Sequence, residues 1–324
     1  MTLRSLRLAL AFGASVAALS PALAQDPLKV VASFSILGDM VHEIGGDHVE
    51  VTTLVGANGD AHVFEPSPKD ARALGEAKLL VVNGLNFEGW MPRLVKTSEF
   101  KGETVVASSG VTPRAFTPEE TEKEEAETHE AHADHAAEAG HDHDHDHGAV
   151  DPHAWQDLRN GEIYARNIAE GLAKADPENA ADYHAKGEAY VAELKALDTQ
   201  VRSELAAIPA ERRKVVTSHD AFGYFAGSYG IQFIAPEGVS TESEASAGDV
   251  AKIIDQIRAE KITAVFVENI SDTRLIDQIA RETGARIGGS LFSDALSDAN
   301  GPAPTYEQMF RSNAAEIVKA LKTS

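Results

Sequence analysis

Between Pro177 and Ile208 no proline interrupts the chain after the first residue, Gly187 is the single glycine, and apolar residues fall at Tyr183, Tyr190, Leu194, Leu197, Val201, Leu205 and Ile208. Steps of three and four put these side chains in one stripe on about eight turns of helix, and Pro177 suits the first turn. The stretch divides the chain, because short apolar runs alternate with helical patterns on both sides of it.

Before it, strand-like runs cover Leu28 to Phe34, Val49 to Val55, Lys78 to Val82 and Glu103 to Ala107, with helical patterns over Ile36 to Ile44, Pro68 to Ala77, Glu88 to Val95 and Asp157 to Lys174. After it, strands are expected at Lys214 to Ser218, Ile231 to Pro236, Ala264 to Glu268 and Ala285 to Leu291, and helices at Ala221 to Tyr229, Ser246 to Lys261, Thr273 to Thr283 and Tyr306 to Leu321. Such βα alternation favours mostly parallel sheets covered on both faces, with ligands beyond the carboxyl ends of the strands. The expected fold class is α/β, with two lobes over 25–176 and 209–324 joined by one long rigid helix over 177–208. That helix opposes a wide hinge motion.

Residues 1–24 read as a cleavable signal peptide: Arg4 and Arg7, an apolar run from Leu8 to Leu19, and Ala22-Leu23-Ala24 before Gln25. The apolar run falls short of the ~20 residues needed to span a bilayer. An exported, periplasmic protein that does not span the membrane is expected. The formal net charge is −22, and residues 117–148 hold 12 acids against one lysine, so half of the excess is local. This sign disfavours nucleic acid and suits cations or a basic partner. With no cysteine in the chain, a metal would be bound by nitrogen and oxygen alone.

The acidic stretch also carries His129, His132, His135, His141, His143, His145 and His147. Imidazole binds late first-row divalent metals, and His alternating with Asp over 141–147 points to zinc, copper or nickel. The tract has no apolar residue larger than alanine, so a disordered loop is expected over about 112–150. A loop of this kind collects ions as an auxiliary site; selection needs preorganised ligands in the folded parts. Four residues stand at strand ends facing a cleft: His62 after the second strand, His153 after the loop, His219 at a strand-to-helix turn, and Asp294 after the last strand.

At these places Asp60-Ala61-His62-Val63-Phe64-Glu65-Pro66-Ser67-Pro68, Asp151-Pro152-His153-Ala154-Trp155, Ser218-His219-Asp220-Ala221-Phe222-Gly223-Tyr224-Phe225 and Ser293-Asp294-Ala295-Leu296 resemble the motifs of the metal-specific solute-binding proteins of ABC importers. The chain is most similar to the zinc (ZnuA- or AztC-like) branch. The resemblance covers essentially the whole mature chain. It implies two Rossmann-like lobes, a metal site in the interlobe cleft, and His62, His153, His219 and Asp294 as ligands to Zn(II), the transported cargo. It also implies an ABC permease as partner, with a periplasmic zinc chaperone as a further candidate, and a monomer. A cysteine pair carried by some zinc-branch members is absent.

Three neutral imidazoles and one carboxylate make a closed tetrahedral shell, which suits carriage. A zinc enzyme would keep an open position and a nearby base, and the chain shows no H-E-x-x-H motif, nucleophile elbow or phosphate-binding Gly-rich loop. A manganese or other divalent-metal carrier and a metal-dependent adhesin are the competing readings. Manganese-importing relatives, by the same resemblance, pair two histidines with two carboxylates, so His219 marks the zinc branch. Glu268, Asp151 and Glu65 are candidates for orienting the ligands, and Trp155 and Phe64 for walls that exclude water. His42, His48 and His184 read as surface or structural residues.

Overall fold

A computed structural model of the chain describes residues 26–118, 120–121, 150–243 and 245–322. The signal-like segment and all seven tract histidines from His129 to His147 lie outside the described residues.

The first lobe is built on β1 (Leu28–Phe34), β2 (Val49–Val55), β3 (Leu79–Val82) and β4 (Glu103–Val106), a parallel sheet in the order β2-β1-β3-β4. The crossovers are α1 (Ser35–Gly45), α2 (Pro68–Glu76) and α3 (Met91–Ser98), with α4 (Leu158–Ala175) following the described gap. β3 reads Leu-Leu-Val-Val and is buried on both faces, as an inner parallel strand must be. The second lobe repeats the plan: β5 (Lys214–Val216), β6 (Gln232–Ile234), β7 (Ala264–Glu268) and β8 (Arg286–Leu291) pair in parallel in the order β6-β5-β7-β8. Its helices are α6 (Gly223–Tyr229), α7 (Ala247–Glu260), α8 (Arg274–Thr283) and α9 (Tyr306–Lys322).

Between the lobes runs α5 (Ala180–Ala206), 27 residues and so about 40 Å long. Its stripe is buried at Tyr183, Gly187, Tyr190, Val191, Leu194, Leu197, Val201 and Leu205. Truncating a residue such as Leu194 to alanine would cost about 2–5 kcal/mol. Gly187 marks the close approach to α4, since a Cβ there would lie 2.7 Å from the Ala169 methyl. One continuous apolar cluster takes in Phe34 and Trp155, the α5 stripe, and Phe225, Leu291 and Phe310 of the second sheet's lobe. The two lobes therefore share a core.

Several helices begin later than their sequence patterns. Pro177–Asn179 forms a separate 3-10 turn before α5, because the Asp176 carboxylate turns to accept from Asn179 Nδ2 (2.7 Å) and the Tyr183 hydroxyl (2.8 Å). α3 starts at Met91 rather than Glu88 because Gly84, Leu85 and Asn86 have positive φ and the Glu88 carboxylate folds back to accept from Asn83 N, Gly84 N and the Ser33 hydroxyl. α2 begins where expected: Ser67 and Asp70 form a reciprocal capping box with Pro68 in the first turn.

Candidate metal centre

His62 lies in the turn after β2, His153 at the end of the connection from β4, His219 just past β5 and Asp294 just past β8. All four are at carboxyl ends of strands, and the two sheets point those ends at one another. One donor atom from each gathers within 4.8 Å of the others, with His153, His219 and Asp294 buried and His62 nearly so.

Each of the four candidate ligands is aimed by a local device. The Asp60 carboxylate accepts from His62 N (2.9 Å) and, through its other oxygen, from the Thr241 hydroxyl of the opposite lobe (2.7 Å). Trp90 Nε1 donates to Ala61 O (2.8 Å), fixing the same turn from below. Asp151 Oδ1 accepts from both His153 N and His153 Nδ1, each at 2.9 Å, which leaves Nε2 to face the cluster. Glu268 at the end of β7 does the same work in the second lobe. Its Oε1 accepts from Ser218 N (2.8 Å) and His219 N (2.9 Å), and Oε2 lies 2.7 Å from His219 Nδ1, off the line of a hydrogen bond but in close ionic contact. Asp294 follows Ser293, whose carbonyl accepts from Trp155 Nε1 (2.9 Å) and Gln156 Nε2 (2.6 Å), so the fourth candidate is registered against the first lobe.

The separations fit a small tetrahedral ion. Bonds of about 2.0–2.1 Å imply ligand–ligand edges of about 3.3 Å. The distance is 3.4 Å from His62 Nε2 to His153 Nε2, 3.2 Å from Asp294 Oδ2 to both His62 Nε2 and His219 Nε2, and 3.6 Å from Asp294 Oδ1 to His153 Nε2. Yet His219 Nε2 and both Asp294 oxygens are buried without a hydrogen-bond partner. These atoms point at a common centre rather than along one another's hydrogen-bond directions. Leaving such groups unsatisfied costs about 1–3 kcal/mol each or more, a cost that a bound cation removes.

The charges agree. Burial opposes a charged His153, but Asp294 and Asp151 outweigh it and push the imidazole up to about 9. Burial likewise opposes charge on His219, and Glu268 and Asp294 raise it well above its usual range. Asp294, despite full burial, is held well below the usual carboxylate range by His153 and His219. Both imidazoles are thus biased toward the charged form by the carboxylates around them, and a divalent cation at the centre would supply positive charge to the same carboxylates.

The orienting candidates separate. Asp151 and Glu268 are in place, whereas Glu65 is exposed, because Phe64 turns inward onto Trp90 (4.8 Å) and its neighbour in an extended stretch faces out. Trp155 packs on His153 (5.2 Å). The wall against His62 is Phe87 rather than Phe64, edge-on at 4.9 Å, and no periodicity marks Phe87, which the left-handed turn at 84–86 delivers. Asn83 was likewise illegible: its side chain donates to Pro152 O (2.9 Å) and accepts from the buried Tyr164 hydroxyl, bracing the Asp151–His153 segment. Outside the cluster, His48 pairs with Asp182 (3.1 Å), and His184 stands 3.9 Å from Glu170 on the surface. No described helix is long and apolar enough to cross a membrane.

Two parallel-sheet lobes meeting on a buried cluster of convergent donors define the binding-protein architecture of ABC importers. The family described as zinc-uptake complex component A, periplasmic, matches residues 30–320. The chain belongs to that family, a substrate-binding component of a transporter and not an enzyme. It is 31% identical over 306 residues to the iron-binding protein YfeA of Yersinia pestis, covering 94% of this chain and 90% of that one. Among solved structures, the Mn-bound periplasmic metal binding protein from Candidatus Liberibacter asiaticus matches at TM-score 0.74 and 28% identity, covering 91% of this chain and 100% of the other. The periplasmic zinc binding protein TroA from Treponema pallidum matches at TM-score 0.77 and 29% identity, covering 92% and 99%.

Proposed function

We propose that the chain captures Zn(II) in the periplasm, after removal of residues 1–24, and delivers it to an ABC permease for uptake. The ion is held by His62, His153, His219 and Asp294. The observation that carries this reading is the set of 3.2–3.6 Å separations among four convergent side chains, with His219 Nε2 and both Asp294 oxygens buried and without a hydrogen-bond partner, which suits a closed tetrahedral shell of three nitrogens and one oxygen. Manganese prefers oxygen-rich shells of higher coordination number and stands at the weak end of the divalent series. The seven tract histidines, His129 to His147, serve as an auxiliary site for capture under scarcity or for docking a zinc chaperone, and the protein acts as a monomer.

A manganese or iron cargo is the second reading, favoured by one feature: Asp294 turns a different oxygen to His153 than to His62 and His219, so the carboxylate can become bidentate in a larger shell. Metal analysis of the purified protein, with zinc and manganese affinities measured against a strong chelator, separates the two. One tight zinc per chain, lost in His153→Ala, is the expected result, and His219→Glu should narrow the zinc-to-manganese ratio. A parent protein that holds manganese in preference to zinc would overturn the zinc assignment.

A further inference from the structure

The two described ends of the His- and acid-rich stretch meet on one side chain that the sequence does not single out. Ala115 and Val150 pair in an isolated antiparallel bridge, and Asp151 N donates to Arg114 O (2.9 Å). The Arg114 guanidinium lies between two carboxylates: Nη2 contacts Glu120 Oε1 at 2.5 Å and Nη1 contacts Asp151 Oδ2 at 3.1 Å. Glu120 is nine-tenths buried and also accepts from Thr117 N (2.6 Å), so it is fixed to the root of the stretch.

The second lobe closes the arrangement. The Tyr224 hydroxyl accepts from Arg114 N (2.9 Å) and donates to Asp151 O (3.2 Å). A Cβ on Gly223, the first residue of α6, would fall 2.5 Å from both Arg114 Cζ and Asp151 Oδ2, so glycine there makes room for the ion pair. Asp220, adjacent to His219, adds its charge to the guanidinium's surroundings. Arg114 therefore touches the stretch's root, the carboxylate behind His153 and the second lobe.

We propose that Arg114 is a positioning residue for the metal centre, holding Asp151 so that the root of the His-rich stretch and the orientation of His153 form one unit. A carboxylate bound through one oxygen only can swing about its Cβ–Cγ bond. With Arg114 on Oδ2 and the backbone N and Nδ1 of His153 on Oδ1, the Asp151 plane is fixed, and the imidazole presents Nε2 to the cargo as a more basic ligand. A planar guanidinium can bridge two carboxylates at once, which the point charge of lysine does less well. The inference rests on the cleft reading above and extends it outward to Glu120.

The test uses the full mature chain and the variants Arg114→Met, Arg114→Lys and Glu120→Gln. It reads zinc affinity by chelator competition, the d–d absorption of the cobalt(II) form, and the melting temperature without metal. Arg114→Met should weaken zinc by about 10–100-fold, the range for residues behind a metal-bound histidine, and shift the cobalt band. Arg114→Lys should recover part of the loss, and Glu120→Gln should show a smaller shift in the same direction with an unchanged metal-free melting temperature. Parental affinity and cobalt spectrum in both Arg114→Lys and Glu120→Gln would overturn the proposal. So would a loss that tracks a fall in the metal-free melting temperature with the cobalt spectrum intact, since that describes general loosening. If the parent itself lacks a tight equivalent removed by His153→Ala, the cleft reading fails instead.

Discussion

His153 and His219 are built alike, and His62 is not. The first two each stand beside a buried carboxylate, Asp151 or Glu268, that engages both the backbone N–H and Nδ1 of the histidine. Among the described residues, the only carboxylate within ion-pair distance of His62 is Asp294, itself a member of the cluster. His62 is placed instead by its turn, through Asp60, Trp90 and the contact of Asn58 N with Leu296 O (2.9 Å). Each lobe thus offers one rigid imidazole, and the third sits on a loop whose position depends on polar contacts across the cleft. Preorganisation is uneven, which fits a site that must both hold and release its cargo.

The largest effects should come from the ligands. His153→Ala and His219→Ala are expected to weaken zinc on the order of 10³-fold or more, about 4 kcal/mol, with His62→Ala next and Asp294→Ala least, since water can replace a monodentate carboxylate. Equilibrium competition gives the order directly. Finding Asp294→Ala the most severe would mean that charge, rather than imidazole placement, dominates the site.

A second tier concerns the carboxylates behind the ligands. Glu268→Gln and Asp151→Asn should each weaken zinc by about 10–100-fold while keeping a backbone acceptor. Zinc dissociation should accelerate more in these variants than in Asp60→Asn, whose effect passes through the loop. Equal effects of all three would erase the distinction drawn between the rigid and the loop-borne histidines.

Proton linkage comes next. The folded pKa of His153, about 9, lies above its unfolded value of ~6.5. Its contribution to the metal-free protein is therefore complete below the unfolded value and is lost as pH rises through about 9. Zinc takes the place of that proton, so binding near pH 7.5 should release protons into weakly buffered solution, and affinity should fall with acid. Zinc at about 1,000 times Kd should stabilise the fold by ~4 kcal/mol, raising the melting temperature by about 10 °C and flattening its decline with rising pH.

The smallest effect belongs to a carboxylate outside the site. Asp39 in α1 accepts from Tyr306 N at the start of α9 (2.8 Å), and burial, with Glu43 and Glu307 nearby, raises it to about 7. An acid whose folded pKa is raised favours the fold below its unfolded value of ~4, and that advantage disappears as pH rises through about 7. Asp39→Asn should raise the melting temperature by a few degrees at about pH 8 and leave zinc affinity unchanged. A change in affinity would make this interlobe contact part of the binding machinery.

The sequence by itself determined the βα alternation, the long apolar stripe and the four residues, His62, His153, His219 and Asp294, whose donor atoms the fold gathers. Each is written in a local pattern: short apolar runs, period-3.6 spacing, or a histidine or aspartate at a strand end. It also marked Glu268 and Asp151, which close a strand and precede a ligand. Tertiary structure alone decided which carboxylates face inward, so Glu65, adjacent in sequence to the ligand turn, is turned to solvent, while Glu88 starts no helix because it binds the loop after β3. It also decided that Phe87 rather than Phe64 walls His62, and that Arg114 joins Glu120 to Asp151. Those outcomes depend on side-chain direction and on groups brought together across irregular chain, such as Glu120 with Arg114, 6 positions apart, and Glu88 with Ser33, 55 apart, where no periodicity carries information.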